Sequence, residues 1–153
     1  MRLAPLFLVA LILTGCTATS SSSGPTVGVD LRTPAGAERG TAWQGNRSVV
    51  SERVEAVART ADEWQALWAK VGVPAPESLP DSRMAVALFL GTRATGGHAV
   101  SLAPPTDRGT SVMVPYRETV PGPNDSVDQQ PTSPFAIRLI DRTPQPVRFV
   151  LAP

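Results

Sequence analysis

The sequence predicts an α+β domain that is mostly β: an antiparallel sheet or β-sandwich of five to six strands with one packed helix. Three observations lead there. Sixteen prolines and twelve glycines, with only 5% Phe, Trp and Tyr, mark a chain of many turns rather than a helical bundle. Several short segments alternate apolar and polar residues at the period of a strand, and one stretch carries apolar residues at helical spacing.

The chain opens with a different composition. Met1-Arg2 supplies one positive charge, and Leu3 to Leu13 is apolar apart from Pro5. Eleven residues make about 16 Å of helix, against a hydrocarbon core of about 30 Å, so this is the length of a secretory h-region and not of a spanning anchor. It ends in Leu13-Thr14-Gly15-Cys16, which resembles the lipobox of bacterial lipoproteins. The resemblance implies that residues 1–15 are a signal peptide and that Cys16 is lipidated and becomes the new N-terminus. Each buried acyl methylene contributes about 0.8 kcal/mol, so two or three chains would anchor the protein firmly. Thr17 follows the cysteine where Asp does not, which by the sorting pattern favours the outer membrane of a Gram-negative cell envelope. Residues 16–40, rich in Ser, Thr, Gly and Pro, read as a tether on the extracytoplasmic side, leaving 41–153 as the folded domain.

Within that domain Arg47 to Ala58 alternates with Val50, Val54 and Ala56 on one face, and is expected as a strand. Thr60-Ala61-Asp62-Glu63 is a capping box, and Trp64, Leu67, Trp68 and Val71 form one stripe at i, i+3, i+4 and i+7. Lys70 suits the dipole of the last turn, and Gly72 is the expected C′ residue. Met84 to Leu90 has no polar residue, so both faces must be covered and this is the central strand. Strands are also expected over His98–Leu102, Thr110–Val120, Phe135–Leu139 and Val147–Leu151, with Pro115 requiring an edge or a bulge. If consecutive strands form an antiparallel meander, the loops Gly91–Gly97 and Val120–Pro134 share one end. Ala103–Gly109 and Arg142–Pro146 then share the other.

Composition excludes several functions. The 14 Lys+Arg and 13 Asp+Glu become 13 of each once Arg2 is removed, so there is no basic footprint for nucleic acid. One His and one Cys cannot build a zinc or iron–sulfur site from such ligands, and no metal or cofactor is expected. Gly91-Thr92-Arg93-Ala94-Thr95-Gly96-Gly97 has no following helix and no Gly-Lys-Ser/Thr, which argues against a nucleotide loop. His98, with Asp125 or Asp128 to orient it and Ser101 or Ser133 as nucleophile, would be a hydrolase on paper. No nucleophile-elbow motif supports it, and Ser101 falls on the opposite face of its strand from His98. No catalytic residue is assigned.

The run Phe89-Leu90-Gly91-Thr92-Arg93-Ala94-Thr95-Gly96-Gly97-His98 resembles the glycine-rich core motif of the PrcB C-terminal domain family. Pro121-Gly122-Pro123 followed by Pro134-Phe135, the Trp64–Trp68 helix and the closing Val147-Arg148-Phe149 resemble the same family in order and spacing, over roughly Val54 to Val150. Ala94 stands where a proline is usual and His98 where an aromatic is usual, which implies a softer loop. The resemblance implies an envelope lipoprotein that associates with a surface protease complex: binding, not catalysis. The expected partner contacts are Arg93, Thr95, Gly96, Gly97, Pro121, Gly122, Pro123 and Asn124, on a protein that is itself held to the membrane by its lipid. Other readings are a small β-sandwich protease inhibitor, and an envelope binder of a small molecule or cell-wall fragment between helix and sheet.

Overall fold

The structure, a computed structural model, describes residues 29–153; Cys16, the leader and the first part of the expected tether lie outside the described residues. Its elements are β1 (Ala42–Gly45), β2 (Val54–Ala58), α1 (Ala61–Val71), β3 (Arg83–Phe89), β4 (Ala99–Leu102), β5 (Thr106–Asp107), β6 (Val112–Thr119), β7 (Phe135–Asp141) and β8 (Val147–Leu151). They form three layers. Helix α1 packs on one face of a sheet ordered β1-β7-β3-β2, and a second sheet, in which β6 pairs with β4, β5 and β8, covers the other face. The domain is α+β and mostly β, with strands beyond the six expected at β1 and β5.

β3 is central, as its unbroken apolar sequence requires. Ala85, Ala87 and Phe89 meet the helix side, and Met84, Val86 and Leu88 meet the second sheet. Its neighbours β2 and β7 satisfy both backbone edges. β7 does the same work one position over. Phe135, Ile137 and Leu139 share the helix-side face, as expected, and Ala136 and Ile140 pack between the sheets.

The meander expectation is corrected. Both edges of β7 are taken by β1 and β3, so β8 crosses to the other sheet and pairs parallel with β6. The expected strand from Arg47 is also shorter: Val49 N–H donates to Lys70 and Ser133 N–H to Asn46, so this stretch runs over the helix end and only reaches β3 at Val54. Pro115 lies inside β6, which has partners on both sides. The Ala103 N–H donates to the Pro115 carbonyl, so the missing proline N–H also faces that side, where β4 has ended and β5 has not begun. The ladder is interrupted where a donor is lacking.

Residues 29–40 pack against the domain in part: Val29 touches the helix-side core, and Arg32 exchanges two backbone hydrogen bonds with Gln44 on the outer edge of β1. Trp43 on β1 joins Trp64 and Trp68, with ring centroids 5.4–5.7 Å apart. The Trp64 Nε1–H donates to the Glu77 carbonyl at 2.8 Å, which pins the segment after the helix. Arg53 ties the β2 edge to the second sheet through an ion pair with Glu118 and a face contact on Tyr116, 5.0 Å from the ring centre.

The capping box is formed. The Glu63 N–H donates to Thr60 Oγ1, and Glu63 Oε2 accepts from the Arg59 N–H at 2.6 Å and the Thr60 N–H at 3.0 Å. Those backbone donors, Arg59 first, lower the Glu63 pKa from its ordinary value. A carboxylate with a lowered folded pKa stabilises fully above its unfolded value of 4.5 and loses that contribution as pH falls through the folded value. Glu63→Gln should therefore melt lower than the native protein at pH 7, with the gap closing as acid takes the pH below 4.5. Paired thermal melts by circular dichroism would check it; a gap that persists in acid would contradict the carboxylate's role.

Candidate binding rim

β3 and β7 are paired so that Phe89 lies opposite Phe135, their rings 5.9 Å apart. The loop that leaves β3 and the loop that enters β7 therefore begin side by side. They stay together. Leu90 N–H donates to the Pro134 carbonyl, and Arg93 and Thr132 exchange backbone bonds of 2.7 and 2.9 Å. Thr132 Oγ1 donates to the Thr95 carbonyl, and the Gly96 N–H donates to the Asp128 carbonyl at 2.7 Å. The expectation that Gly91–Gly97 and Val120–Pro134 share one end is met, although through the β3–β7 pairing and not through a meander.

Two glycines are required by close approaches of other segments. Gly91 has φ +76°, and a Cβ there would stand 2.6 Å from the backbone of Ser51 and Glu52, whose Ser51 carbonyl accepts from the Thr92 N–H. Gly97 has φ +80°, and a Cβ would meet Val127 at 2.7 Å and Pro121 at 3.1 Å. Gly96 is buried under Asp128. Gly96 and Gly97 admit the neighbouring loop of their own chain, and Gly91 admits the segment that leads into β2.

A third segment closes the base. Ser133, buried, donates its hydroxyl to the Val50 carbonyl at 2.6 Å and lies 2.7 Å from Ser48 Oγ. At the other extreme, the Pro121–Asp125 turn projects. The Asp125 N–H donates to the Gly122 carbonyl, and Asp125 Oδ2 accepts from the Gly122 N–H at 2.8 Å. Gly122, Pro123 and Asn124 are exposed, and Val120 beside them is 67% exposed. Of the residues expected to touch a partner, Gly122, Pro123, Asn124 and Gly97 lie open, Arg93, Thr95 and Pro121 are half-buried, and Gly96 is covered.

The polar residues weighed for catalysis are dispersed. His98 makes no hydrogen bond to Asp125 or Asp128, and its buried Nδ1 has no partner among the described residues. The Ser133 hydroxyl is committed to Val50 and Ser48. No group of three His, Cys, Asp or Glu side chains among the described residues is placed to hold a metal ion.

Residues 84–139 match the family model described as PrcB C-terminal. This segment belongs to the PrcB C-terminal family. The match runs from β3 into β7 and takes in both loops of the rim, while α1, β1, β2 and β8 fall outside it. It is narrower than the span over which the sequence motifs resemble the family. Neither a curated protein nor a solved structure is significantly similar to the chain. Within the PrcB C-terminal segment, the glycine-rich motif and the proline-rich motif are the two halves of one hydrogen-bonded rim.

Sequence reasoning missed Trp43, the serine pair at the base and Arg138. A charged residue among Phe135, Ala136, Ile137, Leu139 and Ile140 was the available signal for the last.

Gly91→Ala should cost about 2–4 kcal/mol, combining left-handed strain with a backbone clash. Gly97→Val should cost a similar amount. Denaturant titration would check both; unchanged midpoints would show that the loops are not held together as described.

Proposed function

We propose that this chain is a noncatalytic lipoprotein of the cell envelope, held on the extracytoplasmic side by acylated Cys16, that docks a protease or its complex. The exposed turn Pro121–Asp125 on the hydrogen-bonded rim carries the proposal. A partner that binds it meets a loop already shaped by Pro121 and Pro123 and by the Gly122–Asp125 bonds, so little ordering entropy is lost on docking. Val120 offers apolar area beside that turn, and Asn124 offers an amide. The match of residues 84–139 to the PrcB C-terminal model supports the same reading, since that segment contains both loops of the rim. Binding to the partner would stabilise or modulate the protease, not cut a substrate.

The buried glycines are poor probes of docking because replacing them disturbs the fold. Asn124→Arg changes only an exposed turn. It should reduce the partner recovered by crosslinking from native membranes about tenfold or more while leaving the melt within about 0.5 kcal/mol of native stability. Unchanged recovery would remove the turn from the interface. Cys16→Ala should abolish both the acyl chains and the cleavage before residue 16, read by intact mass; a native protein whose intact mass carries no acyl chains would end the lipid-anchor reading.

A further inference from the structure

One charge between the sheets is left over. The row of β7 that faces the second sheet reads Ala136, Arg138 and Ile140, and Arg138 pairs across the sheet with Val86 on one side and Ala42 on the other. A guanidinium in this otherwise apolar row is half-buried, where a cation without a counter-ion is costly. Its Nε donates to the Leu102 carbonyl at 3.1 Å, which fixes the plane of the group at the end of β4. The end-on pair, Nη1 and Nη2, is accessible and has no hydrogen-bond or ion-pair partner among the described residues. Burial lowers the Arg138 pKa, and no carboxylate opposes that shift.

Arg138 opens on a pocket of about 410 Å³ at the end of β4. Small-molecule sites run from about 300 to 1,000 Å³, so the space suits a small ligand. Pro34, Leu102, Ala103 and Pro104 give it an apolar wall, and Gln44 and Ser101 bring an amide and a hydroxyl. No Asp or Glu lines it. The other cation in the wall, Arg117, is engaged, with Nη2 donating to the Pro153 carbonyl at 3.3 Å. The uncompensated positive charge is therefore that of Arg138.

We infer that this pocket binds a small organic carboxylate, whose two oxygens accept from Arg138 Nη1 and Nη2 and whose carbon chain lies on Pro34, Ala103 and Pro104. A planar fork offered end-on matches a carboxylate, and the apolar wall favours one carrying a hydrocarbon group over a bare anion. Val100 and Leu102 stay buried, and no strand has to open. The inference goes beyond the docking turn and stands whether or not that turn meets a protease.

The test uses the full-length protein in detergent, labelled with nitrogen-15, and sodium butyrate at constant ionic strength. The Arg138 Nε–H and Ala103 amide signals should shift saturably. Butyramide, the uncharged analogue of the same shape, should bind about tenfold more weakly or worse, because it cannot accept the full fork. Inorganic phosphate should also bind more weakly, since it gains nothing from the apolar wall. In Arg138→Gln the saturable shift at Ala103 should disappear. Unmoved Arg138 and Ala103 signals would overturn the inference, as would equal binding of butyrate and butyramide, which would leave only apolar partition. So would phosphate binding as tightly as butyrate, which would reduce the pocket to a bare anion site. The comparison of ligands decides the matter even if Arg138→Gln fails to fold.

Discussion

The structure depends on β3 being covered on every side. Six residues from Met84 to Phe89 carry apolar side chains in both directions, with backbone partners on both edges. Such a strand cannot sit at a surface, because one apolar face would be left in water. The requirement calls for two covering layers, and the chain supplies them unequally. On one side a single helix, Trp64 and Trp68 foremost, fills the space together with Trp43. On the other the second sheet contributes Val100, Leu102, Val112 and Val114.

The rim follows from the same strand. Since β3 and β7 pair with Phe89 opposite Phe135, the loops beyond those residues have to emerge as neighbours. Adjacent loops with unpaired backbone groups are stabilised by bonding to one another, and Arg93–Thr132 and Gly96–Asp128 do this. The glycines are therefore explained by the chain's own packing before any partner is considered. What they leave projecting is the proline-shaped turn around Asn124, which is where a partner would find accessible surface.

The surroundings of β4 have a different origin. Pro115 interrupts the ladder of β6 where β4 stops at Leu102, and β4 packs against β1 and β7, which leaves Val100 and Leu102 buried. Native sheets commonly blunt such edges with charge, and here Arg138 reaches across to occupy one carbonyl. Its own charge has no carboxylate partner among the described residues.

Local signals were legible in the sequence. The capping box, the tryptophan stripe, the buried central strand and the faces of β7 depend on near neighbours and on periodicity, and the family motifs are contiguous runs. Strand partners were not legible, since nothing in Val147–Leu151 states that both edges of β7 are occupied, which is what sends β8 to β6. Nor does the run Gly91–Gly97 reveal that its glycines face Ser51, Asp128 and Val127, all distant in the sequence. The sequence alone determined which segments are strands or helix and which faces are apolar, because those are set by side chains a few residues apart. Only the tertiary structure decided which edges pair, which loops join and which arginine stands unpaired, because those depend on surfaces that meet only after the chain has folded.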